Sequence, residues 1–335
     1  MNVIRNRRVA AGLAVTAVTA AVGTTLGITP VLARDGGHHD GYGAAVRKSG
    51  GADVAARDGV AGEPVFFAAG LNGSNEVPAQ GGPAVGDKNG KAVQFLRIQG
   101  NQVSFALKWQ GTAAPTAAHI HLGKSGTNGA VKIPFFAEKV PGGLNAVTGS
   151  VTVDDPRLLR DLAENPAGFY ANLHTAEFPG GAVRGQLHRL SKPVDIDKAL
   201  SNFQASVVKG EQIYACTKQP DGTYAFTQNN VTAKLGLNID HSFVKPNAGP
   251  PQWIAPDGSA VTGKLISKRP NGAKNIPELD LEATQSGKKH GLLANSVEIL
   301  RLNTVGGVAP AGGCDPHTQP KAAAPYQADY LFIQR

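Results

Sequence analysis

The chain has 335 residues, 33 Lys and Arg against 25 Asp and Glu, and a formal net charge of +8. The positive excess is diffuse, with only isolated adjacent basic pairs such as Lys288-Lys289 beyond the N-terminal segment, so the basic, aromatic-interleaved stripe of a nucleic-acid binder is excluded. Glycine (42) and proline (22) break nearly every apolar run, which excludes a bundle of long amphipathic helices and indicates an all-β protein rich in turns.

The first 33 residues read as a secretory signal peptide. Arg5, Arg7 and Arg8 precede an uncharged stretch over residues 9–28, and Val31-Leu32-Ala33 offers cleavage after Ala33. The stretch is rich in Ala, Thr and Gly, which suits a cleaved signal better than a retained anchor. Arg7-Arg8 leaves the twin-arginine route open beside the general one. No cysteine follows for a lipid anchor, so export as a secreted, extracellular chain with no membrane span in its mature part is expected. Residues 34–62 hold Gly, Ala, Asp and Arg with hardly an aliphatic side chain, and read as a disordered leader.

Residues 63–190 read as a first β domain. Val65-Phe66-Phe67-Ala68-Ala69 is a strand, and residues 91–97 and 102–109 form a hairpin about Gln99-Gly100-Asn101. In Ala118-His119-Ile120-His121-Leu122 the apolar residues alternate with the histidines, so His119 and His121 share the face opposite the core. A Gly-rich loop follows over residues 123–129. Asp155-Pro156 caps a short helix through Leu158, Leu159 and Leu162. The next strand, Phe169-Tyr170-Ala171-Asn172-Leu173-His174, places Tyr170, Asn172 and His174 on one face. If the two strands lie side by side with faces matched, His119, His121 and His174 converge. Three neutral imidazoles are a transition-metal site, with copper or zinc expected; the plainer alternative is hydrogen bonding to loops. Arg184 and Gln186 share a face in the strand after Gly180-Gly181, where an ion pair to an acid such as Glu177 is the ordinary role.

Four ordered motifs carry a family resemblance: Asn75-Glu76-Val77-Pro78, Ala118-His119-Ile120-His121, Tyr170-Ala171-Asn172-Leu173-His174-Thr175, and Pro179-Gly180-Gly181-Ala182-Val183-Arg184-Gly185-Gln186-Leu187. This region resembles the CHRD domain, the chordin-type repeat also common in secreted microbial proteins. The resemblance implies an immunoglobulin-like antiparallel barrel or sandwich and no established microbial activity. Ala79 stands where the family usually has proline. A fainter similarity is to copper/zinc superoxide dismutases, which share the order of a His-x-His strand, a strand ending in His, and a Gly-Gly-x-x-Arg-Gly segment. It implies copper ligands at His119, His121 and His174, with Arg184 as an anion contact. Residues 122–136 contain no His, Asp or Glu, so the bridging histidine and zinc loop of those enzymes have no counterpart.

Residues 191–201 read as a polar linker containing Pro193, and residues 202–335 as a second β domain punctuated by Pro220-Asp221-Gly222 and Pro256-Asp257-Gly258 turns. Its two cysteines, Cys216 and Cys314, are the only ones in the chain. In an exported protein such a pair predicts a disulfide, with two buried thiols the alternative. Gly210-Glu211-Gln212-Ile213-Tyr214-Ala215-Cys216, Trp253 with Asp257-Gly258-Ser259, and the run from Arg301 through Cys314 resemble an exported domain-of-unknown-function family (3455). That resemblance pairs the same cysteines and implies no activity.

No nucleophile elbow, His-Glu-x-x-His helix, P-loop or dinucleotide fingerprint is present. Glu278, Asp280 and Glu282 share one strand face expected to meet solvent; His241, His290 and His317 read as loop residues. The expectation is two tandem antiparallel β-sandwich or barrel domains after a signal peptide and leader. The function expected is non-catalytic extracellular binding of an unidentified ligand or cell-envelope component. The alternatives are a copper-dependent dismutase-like enzyme and a wall-polymer hydrolase working through Asp280 and Glu282.

Overall fold

The computed structural model describes Thr29–Pro30 and residues 62–335. The signal peptide and leader read from the sequence lie almost wholly outside the described residues. The rest is β structure in two units.

The first unit is a 10-stranded antiparallel sheet in the order β1-β7-β4-β3-β2-β9-β8-β5-β6, with β10 paired to β2. Its strands are β1 (Thr29–Pro30), β2 (Val65–Asn72), β3 (Lys91–Gln99), β4 (Gln102–Gln110), β5 (Ala117–Leu122), β6 (Val131–Phe136), β7 (Ala146–Thr152), β8 (Phe169–His174), β9 (Val183–Gln186) and β10 (His188–Arg189). Alternate residues point inward, as a period of two requires. Phe67 and Leu71 of β2, Leu96 of β3, Phe105 of β4, Ile120 of β5 and Leu173 of β8 form one core with Phe135, which packs on Phe105 at 4.4 Å between ring centroids. The helix α1 (Pro156–Glu164) closes this core with Leu159 and Leu162. Asp155 caps it as expected, accepting the backbone N–H groups of Arg157 and Leu158 at 3.0 Å each.

The second unit is a closed eight-stranded barrel, β11 to β18 in sequence order. Its strands are β11 (Phe203–Lys218), β12 (Tyr224–Leu235), β13 (Asp240–Phe243), β14 (Pro251–Ile254), β15 (Ala260–Arg269), β16 (Glu278–Gln285), β17 (Ser296–Gly306) and β18 (Lys321–Gln334). His241, read as a loop residue, lies on β13 and is buried in the barrel, its ring stacked on Trp253 at 4.4 Å. Its Nδ1–H donates to the Gln252 carbonyl at 2.8 Å. Cys216 and Cys314 are disulfide-bonded, with Cα atoms 5.8 Å apart, joining β11 to the excursion between β17 and β18.

The strands β2 to β4 are buried on both faces. Ala68, Val93, Phe95 and Ala106 turn away from the first core and pack on Leu300 and Leu302 of β17 and Leu331 and Ile333 of β18. Each such leucine or phenylalanine gains about 1.5–3 kcal/mol from burial, several times the net worth of an ordinary hydrogen bond. Apolar contact therefore holds the two units together, and polar groups set its register. Asp329 of β18 is buried and accepts from Asn303 at 2.9 Å, from Lys91 at 3.4 Å and from Asn72 and Ser206. Residues 191–201, read above as a linker, are seated on this seam. Leu190, Val194 and Ala199 are buried in it, and Glu298 accepts the Ser191 and Lys192 N–H groups at 2.9 Å each.

The disulfide spans 98 residues in sequence, a loop length worth about 4 kcal/mol in the chain-entropy account. Replacing both cysteines by serine is expected to lower the unfolding free energy by about that amount, measured as a fall in the denaturant midpoint; an unchanged midpoint would contradict it. Acid should also weaken the fold. Burial holds His241 down to about 3, and burial and Arg269 hold His188 well below its ordinary value. An unfolded imidazole titrates near ~6.5, so below that pH the unfolded chain takes up protons that the folded chain refuses. The stability present above ~6.5 is lost as the pH falls toward about 3. Melting temperatures should drop steadily from neutral to acid pH, and less steeply in His241→Phe; identical slopes would rule His241 out as a contributor.

Candidate metal centre

Strands β5 and β8 run side by side with His119 opposite Asn172, His121 opposite Tyr170 and Ala117 opposite His174. Ala118, Ile120, Ala171 and Leu173 fill the core at zero exposure, which leaves the polar set on the outer face. His119, His121 and His174 meet there, with one ligand atom from each lying within 4.8 Å of the others. His119 Nδ1 is 3.3 Å from His174 Nε2. Two nitrogens each ~2.0–2.1 Å from one tetrahedral ion stand ~3.3–3.4 Å apart, so this pair already has the required spacing.

The tautomers also fit a metal. His174 Nδ1–H donates to the Pro179 carbonyl at 3.0 Å, and His121 Nδ1–H donates to the Gly129 carbonyl at 3.0 Å. In both rings the Nε2 lone pair is thereby left for a ligand role, the arrangement that carbonyl-anchored metal histidines use. His121 Nε2 is buried and has no hydrogen-bond partner. Burial first, then the neighbouring His174 and His121, hold His119 down to about 3. Burial lowers His121 and His174 too, against the opposing effect of their carbonyl bonds. The shifts all favour the neutral imidazole, the form that binds a metal ion.

A layer of side chains fixes these rings. Tyr170 stacks on His121 at 4.8 Å and 10° between planes, and the Arg184 guanidinium lies 3.4 Å above the Tyr170 ring centroid. The Tyr170 hydroxyl accepts the Gly129 N–H at 3.2 Å, while the Gly129 carbonyl holds His121. Residue 129 must be glycine, because a Cβ there would stand 1.6 Å from the Leu122 carbonyl oxygen. Arg184 is 1% exposed and donates to the carbonyls of Thr127 at 2.7 Å and Lys124 at 3.0 Å and to Asn128 Oδ1 at 3.2 Å. It fastens the Gly-rich loop over the sheet.

The Asn75-Glu76-Val77-Pro78 segment closes the same region. Asn75 donates to the Arg184 carbonyl at 3.0 Å, and the Val77 carbonyl accepts from Asn128 at 2.7 Å. Glu76 Oε2 accepts from Asn172 at 3.5 Å, and burial pushes its carboxyl up to about 7 against the pull of Arg184. Sequence reasoning missed Glu76 and the two-sided stack on Tyr170; only their place inside the recurring motifs marked them.

Two expectations are corrected by this geometry. Arg184 has Glu76, not the exposed Glu177, as its acidic neighbour, and its guanidinium serves the loop instead of facing an open anion path. Glu278, Asp280 and Glu282 do not form a free acidic face. Glu278 binds Arg269 at 2.6 Å, Glu282 binds Lys192 at 3.1 Å, and burial together with Glu298 pushes Asp280 up to about 8. All three sit at the seam between the units because β16 neighbours the strand that packs there.

Among comparisons with known proteins, residues 67–187 match the CHRD domain family, and residues 232–334 match a family described as protein of unknown function, DUF3455. No curated protein and no solved structure matches the chain.

Losing the guanidinium should free the loop. In Arg184→Met, amide exchange over residues 124–130 is expected to speed up by ~10-fold or more, from the loss of hydrogen bonds to a charged donor. Exchange at the wild-type rate would show that the loop is held by something else.

Proposed function

We propose that this chain is an exported binding protein whose CHRD domain holds one copper or zinc ion on His119, His121 and His174. The observation that carries the reading is the convergence of three neutral imidazoles within 4.8 Å, one of them with a buried, unpartnered Nε2. His119, His121 and His174 would hold the ion by three nitrogens, and copper or zinc bound there would supply a Lewis acid. The chain's own part is to hold the rings through Gly129, Pro179 and Tyr170 and to keep them unprotonated. Export is supported by the signal-like N-terminal sequence and by the disulfide, which persists in oxidising compartments.

A binding role is favoured over dismutase chemistry by the position of Arg184. An arginine that guides anions to a metal must reach solvent, whereas this one is under the loop at 1% exposure. The hydrolase reading is disfavoured because Glu282 is bound to Lys192 and Asp280 is partly buried beside Glu298 instead of facing solvent.

The untagged protein is expected to take up about one copper or zinc ion per chain. His174→Ala should weaken that affinity by more than ~10-fold, while His290→Ala, an exposed loop residue, should leave it unchanged. Equal affinities in the two variants would remove the site. Superoxide consumption by the copper-loaded protein well above that of the His174→Ala variant would replace the binding role by the enzymatic one.

A further inference from the structure

A cleft of about 390 Å³ opens where the Gly-rich loop and the end of β9 meet the β15–β16 connection and β17. Its volume lies within the ~300–1,000 Å³ of small-molecule sites, which favour junctions between domains. We propose that this cleft binds a sugar unit bearing a carboxylate, that is, an acidic saccharide of the uronic-acid class. The proposal is independent of metal binding at the three histidines.

Charge is the first argument. Lys124, Arg184 and Arg269 line the cleft, and Glu278 is its one carboxylate. Both oxygens of Glu278 are already engaged: Oε2 accepts from Arg269 at 2.6 and 3.0 Å, and Oε1 accepts the Asn303 N–H at 2.9 Å. Glu278 thus answers Arg269 alone. Arg184 bonds to neutral carbonyl and amide oxygens although it is 1% exposed. Its charge is answered from behind by Glu76, whereas Lys124 extends from the loop at the exposed mouth. Among the described residues Lys124 is therefore the cation of the cleft without an acidic neighbour, since Arg269 has Glu278 and Arg184 has Glu76.

The rest of the lining selects the remainder of the ligand. Six amide side chains line the cleft; most are tied into its walls, and the Asn165 amide and the Asn271 Oδ1 are left to meet hydroxyl groups. No aromatic ring lines it, so a nucleobase or other flat ring has nothing to stack on, whereas a polyol with one acid group is matched throughout. The walls are pre-formed. Asn271 donates to the Thr304 carbonyl at 2.9 Å, and Asn275 donates to the Asn271 carbonyl at 2.9 Å. Asn303 sits at φ 52°, a left-handed position that asparagine tolerates. Little ordering cost remains for binding.

The test is calorimetric titration of the full chain with a galacturonate trimer and, in parallel, with its methyl ester. Saturable binding of the acid is expected, with the ester and the Lys124→Glu variant each weaker by ~10-fold or more, the loss of one charged contact. His174→Ala should bind the trimer like the wild type, which separates this site from the metal centre. Absence of saturable binding, equal affinity for the ester, or an unaffected Lys124→Glu variant would each overturn the proposal.

Discussion

A guanidinium removed from water organises the functional half of this molecule. Arg184 is almost fully buried, and a buried charge is tolerated only when dipoles replace its hydration shell. Those dipoles are the carbonyls of Lys124 and Thr127 and the amide of Asn128, so satisfying the arginine is the same event as ordering the loop. The loop then delivers the Gly129 carbonyl to His121, and the arginine's flat face presses Tyr170 onto the same imidazole. Both sides of the His121 ring system are set by one residue that touches no histidine. The recurring motifs of the first unit, scattered over more than a hundred residues of sequence, are thus the parts of one contact network.

The second constraint is the double burial of β2 to β4. A strand with one wet face alternates apolar and polar residues, whereas Val65-Phe66-Phe67-Ala68-Ala69 does not alternate. The reason lies in the other unit: Ala68, Val93 and Phe95 need a partner, and β17 and β18 supply it. Asp329 marks the centre of the polar part of this seam, gathering donors from β2, β3, β11 and β17. The seam also creates the cleft, whose walls come from both units.

Much of this was legible in the sequence, and the rest has definite physical reasons for being hidden. The parity of His119, His121 and His174 follows from a two-residue period and needs only that β5 and β8 be neighbours, which the register bears out. The cap at Asp155 and the cysteine pair are likewise local or countable features. His241 reads as a loop residue because β13 presents a histidine where an inward strand residue is usually aliphatic, so its alternation is silent; the stacking on Trp253 accounts for it. The pairing of the acids on β16 is silent because polar side chains look alike in sequence whether they meet water or a half-buried lysine and arginine. The role of Arg184 depends on where a loop sixty residues earlier folds back, which no local pattern carries.

The apolar seam bears on how such a chain can arise by recombination. CHRD and DUF3455 units are each recognisable as families, yet here neither is a bead on a string. Transplanting the barrel alone into another protein would leave Leu300, Leu302, Leu331 and Ile333 as one bare stripe, a surface prone to self-association. Moving the first unit alone would strand Val93 and Phe95 and leave Lys91 and Asn72 without their shared carboxylate. A change of shape on one side of the seam must therefore be met by a change on the other if the apolar contact is to stay closed.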